Sequence, residues 1–90
     1  MPILFRHKGF RVYFYSQEGE PREPIHVHVN NDRKRAKYWV EPEVSLEYAD
    51  RMNVSERKQM ERFIHEHRQE IIDAWNEHFG IRIHRPEGVD

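Results

Sequence analysis

The sequence contains no cysteine. That absence excludes disulfide staples, thiolate metal sites and a cysteine nucleophile. It fits a reducing compartment. Long apolar runs are missing too: no stretch approaches the roughly 18–20 residues that span a bilayer. The opening Met1-Pro2-Ile3-Leu4-Phe5-Arg6 has no apolar core of signal-peptide length. The expectation is therefore a cytoplasmic protein with no membrane partner. Glycine is sparse, at four residues, and no glycine-rich phosphate loop exists. No Ser/His/Asp arrangement stands out, and there is no internal repeat or low-complexity segment.

What is present is aromatic and charged. Five Phe, four Tyr and two Trp in 90 residues are too many for a solvated tail. A chain this short makes one domain and buries roughly 60–65% of the surface that its unfolded form exposes. The expected division is a domain over residues 1–80 and a loosely held tail over 81–90, where Pro86 and Gly88 fall. The net charge of −1 conceals an asymmetry. Residues 1–40 carry eight Lys/Arg against four Asp/Glu, and residues 41–90 carry seven against twelve. Either this is a mixed solvated surface, or the two halves attract different partners.

Residues 3–7 read as a short strand, with Lys8-Gly9 as a tight turn. The segment Phe10-Arg11-Val12-Tyr13-Phe14-Tyr15 alternates with period 2 and is the clearest strand. Residues 16–24 form a loop with two prolines, a glycine and three glutamates. A third strand follows, Ile25 to Val29, then a turn at Asn30-Asn31-Asp32. A fourth strand runs from Ala36 to Val40 and stops at Pro42. Residues 43–54 admit a fifth strand (Val44, Leu46 and Tyr48 alternate) or a helical turn; a strand start followed by irregular chain is preferred.

From about residue 55 to 79, Met60, Phe63, Ile64, His67, Ile71, Ile72, Trp75 and Phe79 keep the i, i+3, i+4, i+7 spacing of one amphipathic helix. Ser55 is a natural N-cap, and Asn53 with Glu56 is a competing capping box. Gly80 is the C-terminal cap. Arg57/Glu61 and Arg62/Glu66 place opposite charges at i, i+4. Such a rod, about 37 Å long, exceeds the span of short strands, so it overhangs the sheet or continues into a partner. The fold class is thus α+β: a small antiparallel sheet of about four strands on one long C-terminal helix.

One helix covers one face of a sheet. Phe10, Val12, Phe14, Ile25, Val27, Val29, Tyr38 and Val40 share the apolar face. Arg11, Tyr13, Tyr15, His26, His28, Lys37 and Trp39 share the other, for which the chain supplies no second layer. His26 and His28 stand side by side, about 7 Å apart at the backbone. Three chemistries suit them besides a plain half-exposed surface. Two imidazoles can divide general acid and base roles, as in RNA cleavage without a metal. They can contact nucleic acid. They can chelate a metal if a third ligand, such as Glu41 or Tyr13, joins. No pattern assigns that ligand, and no cofactor is expected. Tyr13, Tyr15 and Trp39 can stack bases while Arg11, Lys37 and the Asp32-Arg33-Lys34-Arg35 turn meet phosphates. A pI of about 6.7 opposes strong non-specific nucleic-acid binding. A partner protein on the same face is the leading alternative, and homo-oligomerisation stays open. His67 reads as a boundary residue of the helix stripe, His65 and His78 as solvated.

Several segments together resemble a family of small bacterial proteins catalogued as a domain of unknown function and numbered 4160. They are Met1-Pro2, Arg11-Val12-Tyr13-Phe14-Tyr15-Ser16, Glu23-Pro24-Ile25-His26-Val27-His28-Val29, Ala36-Lys37-Tyr38-Trp39-Val40 and Trp75-Asn76-Glu77-His78-Phe79-Gly80. The Pro-x-His-x-His segment is the hallmark. The family often has a second proline where this chain has Ile25, and the residues after Gly80 extend beyond the family pattern. The resemblance implies no established enzymatic activity. It implies a small accessory protein, of the kind suspected of belonging to toxin–antitoxin-like gene pairs, with a partner encoded by a neighbouring gene.

Overall fold

The structure, a computed structural model, describes residues 3–15 and 23–80. Five strands follow one another: β1 (Ile3–His7), β2 (Phe10–Tyr13), β3 (His26–Asn31), β4 (Lys34–Trp39) and β5 (Ser45–Asp50). Each pairs antiparallel with the next, in spatial order β1-β2-β3-β4-β5. The sheet has one strand more than about four, because residues 45–50 form a full edge strand. The predicted loop at 16–24 falls mostly on residues 16–22, which lie outside the described residues, as do the tail residues 81–90.

The turns explain the register. His7 pairs with Phe10, so Lys8-Gly9 is a two-residue hairpin loop, and both residues take positive φ, 51° and 85°. That combination matches the right-handed twist of the flanking strands. Asn31 pairs with Lys34, so the second hairpin turns at Asp32-Arg33, and Asn30 and Asn31 of the expected turn belong to β3. Asp32 carries the positive φ of 52°, which aspartate tolerates better than most residues.

The expected single helix is two: α1 (Val54–Glu66) and α2 (Arg68–His78). The interruption is His67, at φ −107°, ψ 19°. Its N–H still reaches the carbonyls of Phe63 and Ile64, at 3.0 and 3.2 Å, and its own carbonyl accepts from Ile71 N–H at 3.0 Å. The apolar period therefore passes through the break unchanged, which is why the spacing alone reads as one rod. Arg68 fastens the junction to the end of β4 by donating to the carbonyls of Val40 (2.9 Å) and Pro42 (3.1 Å). At the start of α1 the capping box prevails over Ser55: Asn53 Oδ1 accepts from Glu56 N–H at 2.8 Å, and Glu56 Oε1 accepts from Asn53 N–H at 3.0 Å. The Arg57 guanidinium donates to the Met52 carbonyl at 2.8 Å, just ahead of that box.

Every residue assigned to the apolar face is buried: Phe10, Val12, Phe14, Ile25, Val27, Val29, Tyr38 and Val40. They form one cluster with Met52, Met60, Ile64, Ile71 and Trp75. Removing this area from water, at about 25 cal/mol per Å², is the main force that holds helices to sheet. Tyr38 buries a hydroxyl there and satisfies it by donating to the Arg57 carbonyl at 2.9 Å. Burial, and next the nearby Glu61 carboxylate, push that phenol up to about 12.

Candidate functional site: the uncovered face of the sheet

The helices meet the Val12/Val27/Tyr38 side of the sheet, and among the described residues nothing forms a layer on the other. Cross-strand partners share a face. One row on the uncovered face is Tyr13, His28, Lys37 and Tyr48, from β2, β3, β4 and β5. A second is Arg6, Arg11, Asn30, Arg35 and Asp50, one from each strand. A third pairs His26 with Trp39.

The structure brings most of the expected site residues together. His28 is half-buried, with ring centroids 5.6 Å from Tyr13, 4.9 Å from Tyr15 and 5.3 Å from His26. Tyr13 and Tyr15 meet edge to face at 5.4 Å. Tyr13 is buried within this cluster, and burial, reinforced by its hydrogen bond to Tyr15, raises its phenol far above the ordinary range. The Lys37 ammonium sits 4.4 Å from the centre of the Trp39 ring and 3.7 Å from Glu23 Oε1. Trp39 Nε1 donates to Glu47 Oε1 at 2.6 Å. Arg11 donates to Asn30 Oδ1.

His26 departs from the expectation that both imidazoles look outward. Its side chain has no exposed surface. β2 ends at Tyr13, opposite His28, so beyond that pair the sheet narrows and His26 loses its β2 neighbour. The Trp75 indole of α2 approaches there, 5.1 Å from the His26 ring, with Trp39 at 5.5 Å. His26 Nδ1 lies 3.0 Å from the Pro24 carbonyl oxygen. A carbonyl only accepts, so Nδ1 carries the proton and donates. Proline before the histidine segment thus supplies the acceptor that orients the sealed ring. Acid–base chemistry by the pair needs both rings at the substrate, and only His28 is within reach. Among the described residues no three His, Asp or Glu side chains gather as metal ligands would.

Two members of the site were not singled out from sequence: Glu47 and Tyr48. The register between β4 and β5 shifts at Lys37/Tyr38, and this irregularity sets Tyr48 beside Lys37 while Glu47 reaches Trp39. The alternation of Leu46 and Tyr48 was the available signal, but periodicity cannot show a bulge. Asn30, read as a turn residue, lies in β3, and Arg35, read as part of a phosphate-meeting turn, lies within β4 and pairs with Asp50 at 3.6 Å.

Fold and face define a small α+β protein whose five-stranded meander is covered on one side and aromatic on the other. Its family is the one described as Domain of unknown function (DUF4160), whose model matches residues 9–76; the chain belongs to that family. Neither the curated proteins nor the solved structures yield a match. No helix among the described residues is long and apolar enough to cross a membrane.

Proposed function

We propose that this chain is an interaction module that docks a partner protein on the uncovered sheet face, and that it acts as one half of a toxin–antitoxin-like pair. The observation that carries the reading is the composition of that face. Tyr15 and Tyr48 are 43% and 46% exposed, beside the half-buried His28 and Trp39. Tyrosine, tryptophan and arginine are the residues that anchor protein interfaces.

The same face also suits a nucleic acid in outline, and its details favour a protein. Bases stack on open aromatic planes. Here Lys37 occupies one side of the Trp39 ring, and the carboxylates of Glu47 and Glu23 stand beside Trp39 and Lys37. Carboxylates at that spot repel phosphates.

The test is co-purification with the product of the adjacent gene. Wild-type chain and a surface control, Gln59→Ala on α1, are expected to hold that product in a defined stoichiometry. Tyr48→Ala with Trp39→Ala is expected to lose it. Equal retention by the double variant contradicts the reading. Salt-sensitive RNA binding that disappears with Lys37→Ala and Trp39→Ala promotes the nucleic-acid alternative in its place.

A further inference from the structure

A small hollow opens on the same face where the tyrosine row meets the arginine row. It encloses about 110 Å³ and is lined by Tyr13, Tyr15, His28, Asn30, Arg35 and Tyr48, together with Val29 and Ala36. Drug-sized ligands take about 300–1,000 Å³, so the hollow fits a functional group and not a whole metabolite.

The lining has one chemical sense. None of its eight residues is acidic. Arg35 brings a guanidinium; among the described residues its ion-pair partner is Asp50, which lies outside the lining, approaches Nε at 3.6 Å and is shared with Arg51 at 3.9 Å. Among the described residues the two terminal nitrogens of Arg35 have no hydrogen-bond partner. The Asn30 carboxamide oxygen already accepts from Arg11, which leaves its NH₂ as the group on offer. Tyr48 adds a phenol that can donate. A fork of guanidinium nitrogens beside neutral donors is the arrangement that recognises a planar carboxylate. The balance of charge agrees. Arg6 and Arg11 lie in the same row as Arg35, with Asp50 as that row's one carboxylate, so the row is net positive and suits an anion.

We infer that this hollow is a carboxylate subsite, which receives an Asp, Glu or C-terminal carboxylate presented by the docked partner. The inference rests on the docking reading, and it adds the chemistry of the anchor.

The isolated chain can be titrated with acetate while its amide and side-chain NMR signals are followed, with chloride at equal ionic strength as control. Saturable shifts are expected at Arg35, Asn30 and Tyr48 with acetate and not with chloride. Arg35→Gln is expected to weaken them about tenfold or more, with the spectrum of the helices unchanged. Tyr48→Phe supplies a second variant, expected to weaken them by a smaller factor. No saturable shift, or equal shifts in Arg35→Gln, overturns the inference. Inorganic phosphate binding tenfold tighter than acetate overturns the carboxylate assignment. Partner capture by wild type and Arg35→Gln alike overturns the subsite and leaves the docking reading standing; no capture by wild type overturns the docking reading.

Discussion

His26 and His28 lie two residues apart on β3 with ring centroids 5.3 Å apart, and only His28 reaches solvent. The difference follows from where β2 ends and from the Trp75 indole that fills the place beyond it. An imidazole-modifying reagent applied to the folded chain is therefore expected to label His28 and spare His26, read by peptide mass spectrometry. Equal labelling contradicts the sealed ring.

The two substitutions also separate in stability. His26→Ala opens a hole among Trp39, Trp75 and His28 and is expected to cost about 2–4 kcal/mol in denaturant unfolding. His28→Ala, at a half-exposed position, is expected to cost less than about 1.5 kcal/mol. A reversed order argues that His26 is not a core residue.

Tyr38 makes an alkaline prediction. Its phenol lies at about 12, above the ordinary 10, so the folded state binds this proton more tightly than the unfolded chain does. Its contribution is fully present below pH 10 and fades as pH rises toward 12. Unfolding midpoints measured across that window are expected to fall in wild type and to fall less in Tyr38→Phe. The same variant loses the hydrogen bond to the Arg57 carbonyl and is expected to be about 0.5–1.5 kcal/mol less stable at neutral pH.

Glu56 makes the opposite, acid prediction. It ties the start of α1 to the β3–β4 turn by accepting from Lys34, and it closes the box with Asn53. The Lys34 hydrogen bond, then that of the Asn53 backbone, hold its carboxyl below the usual 4.5. A lowered value means that the contribution is present above about pH 4.5 and is lost as pH falls through the folded value. Acid unfolding of Glu56→Gln is expected to show a shallower dependence than wild type. Asn53→Ala removes the cap itself and is expected to cost about 1 kcal/mol, whereas Ser55→Ala is expected to cost little.

How much was legible in the sequence depended on whether a local period carried it. Phe10, Val12, Phe14, Val27 and Tyr38 alternate, so the core face could be listed residue by residue. The tight turn at Lys8-Gly9 was legible from its glycine, whereas the positive φ of Lys8 was not. Breaks in period were not. His67 interrupts the helix without displacing its apolar stripe, and the irregularity between β4 and β5 moves Tyr48 beside Lys37 with no sequence mark. The fate of His26 was out of reach because it depends on Trp75, which approaches from 49 positions along the chain. Alternation gave its side; only tertiary packing shows that this side is closed at that end.

Side-chain footprinting of the complex with the adjacent gene's product tests the central claim most directly. Oxidation of Tyr15, Trp39 and Tyr48 by hydroxyl radicals is expected to drop in the complex, while Phe63, His65 and His78 on the helices stay as reactive as in the free chain. Protection of the helix residues with Trp39 and Tyr48 unchanged would place the partner on the opposite side and contradict the account.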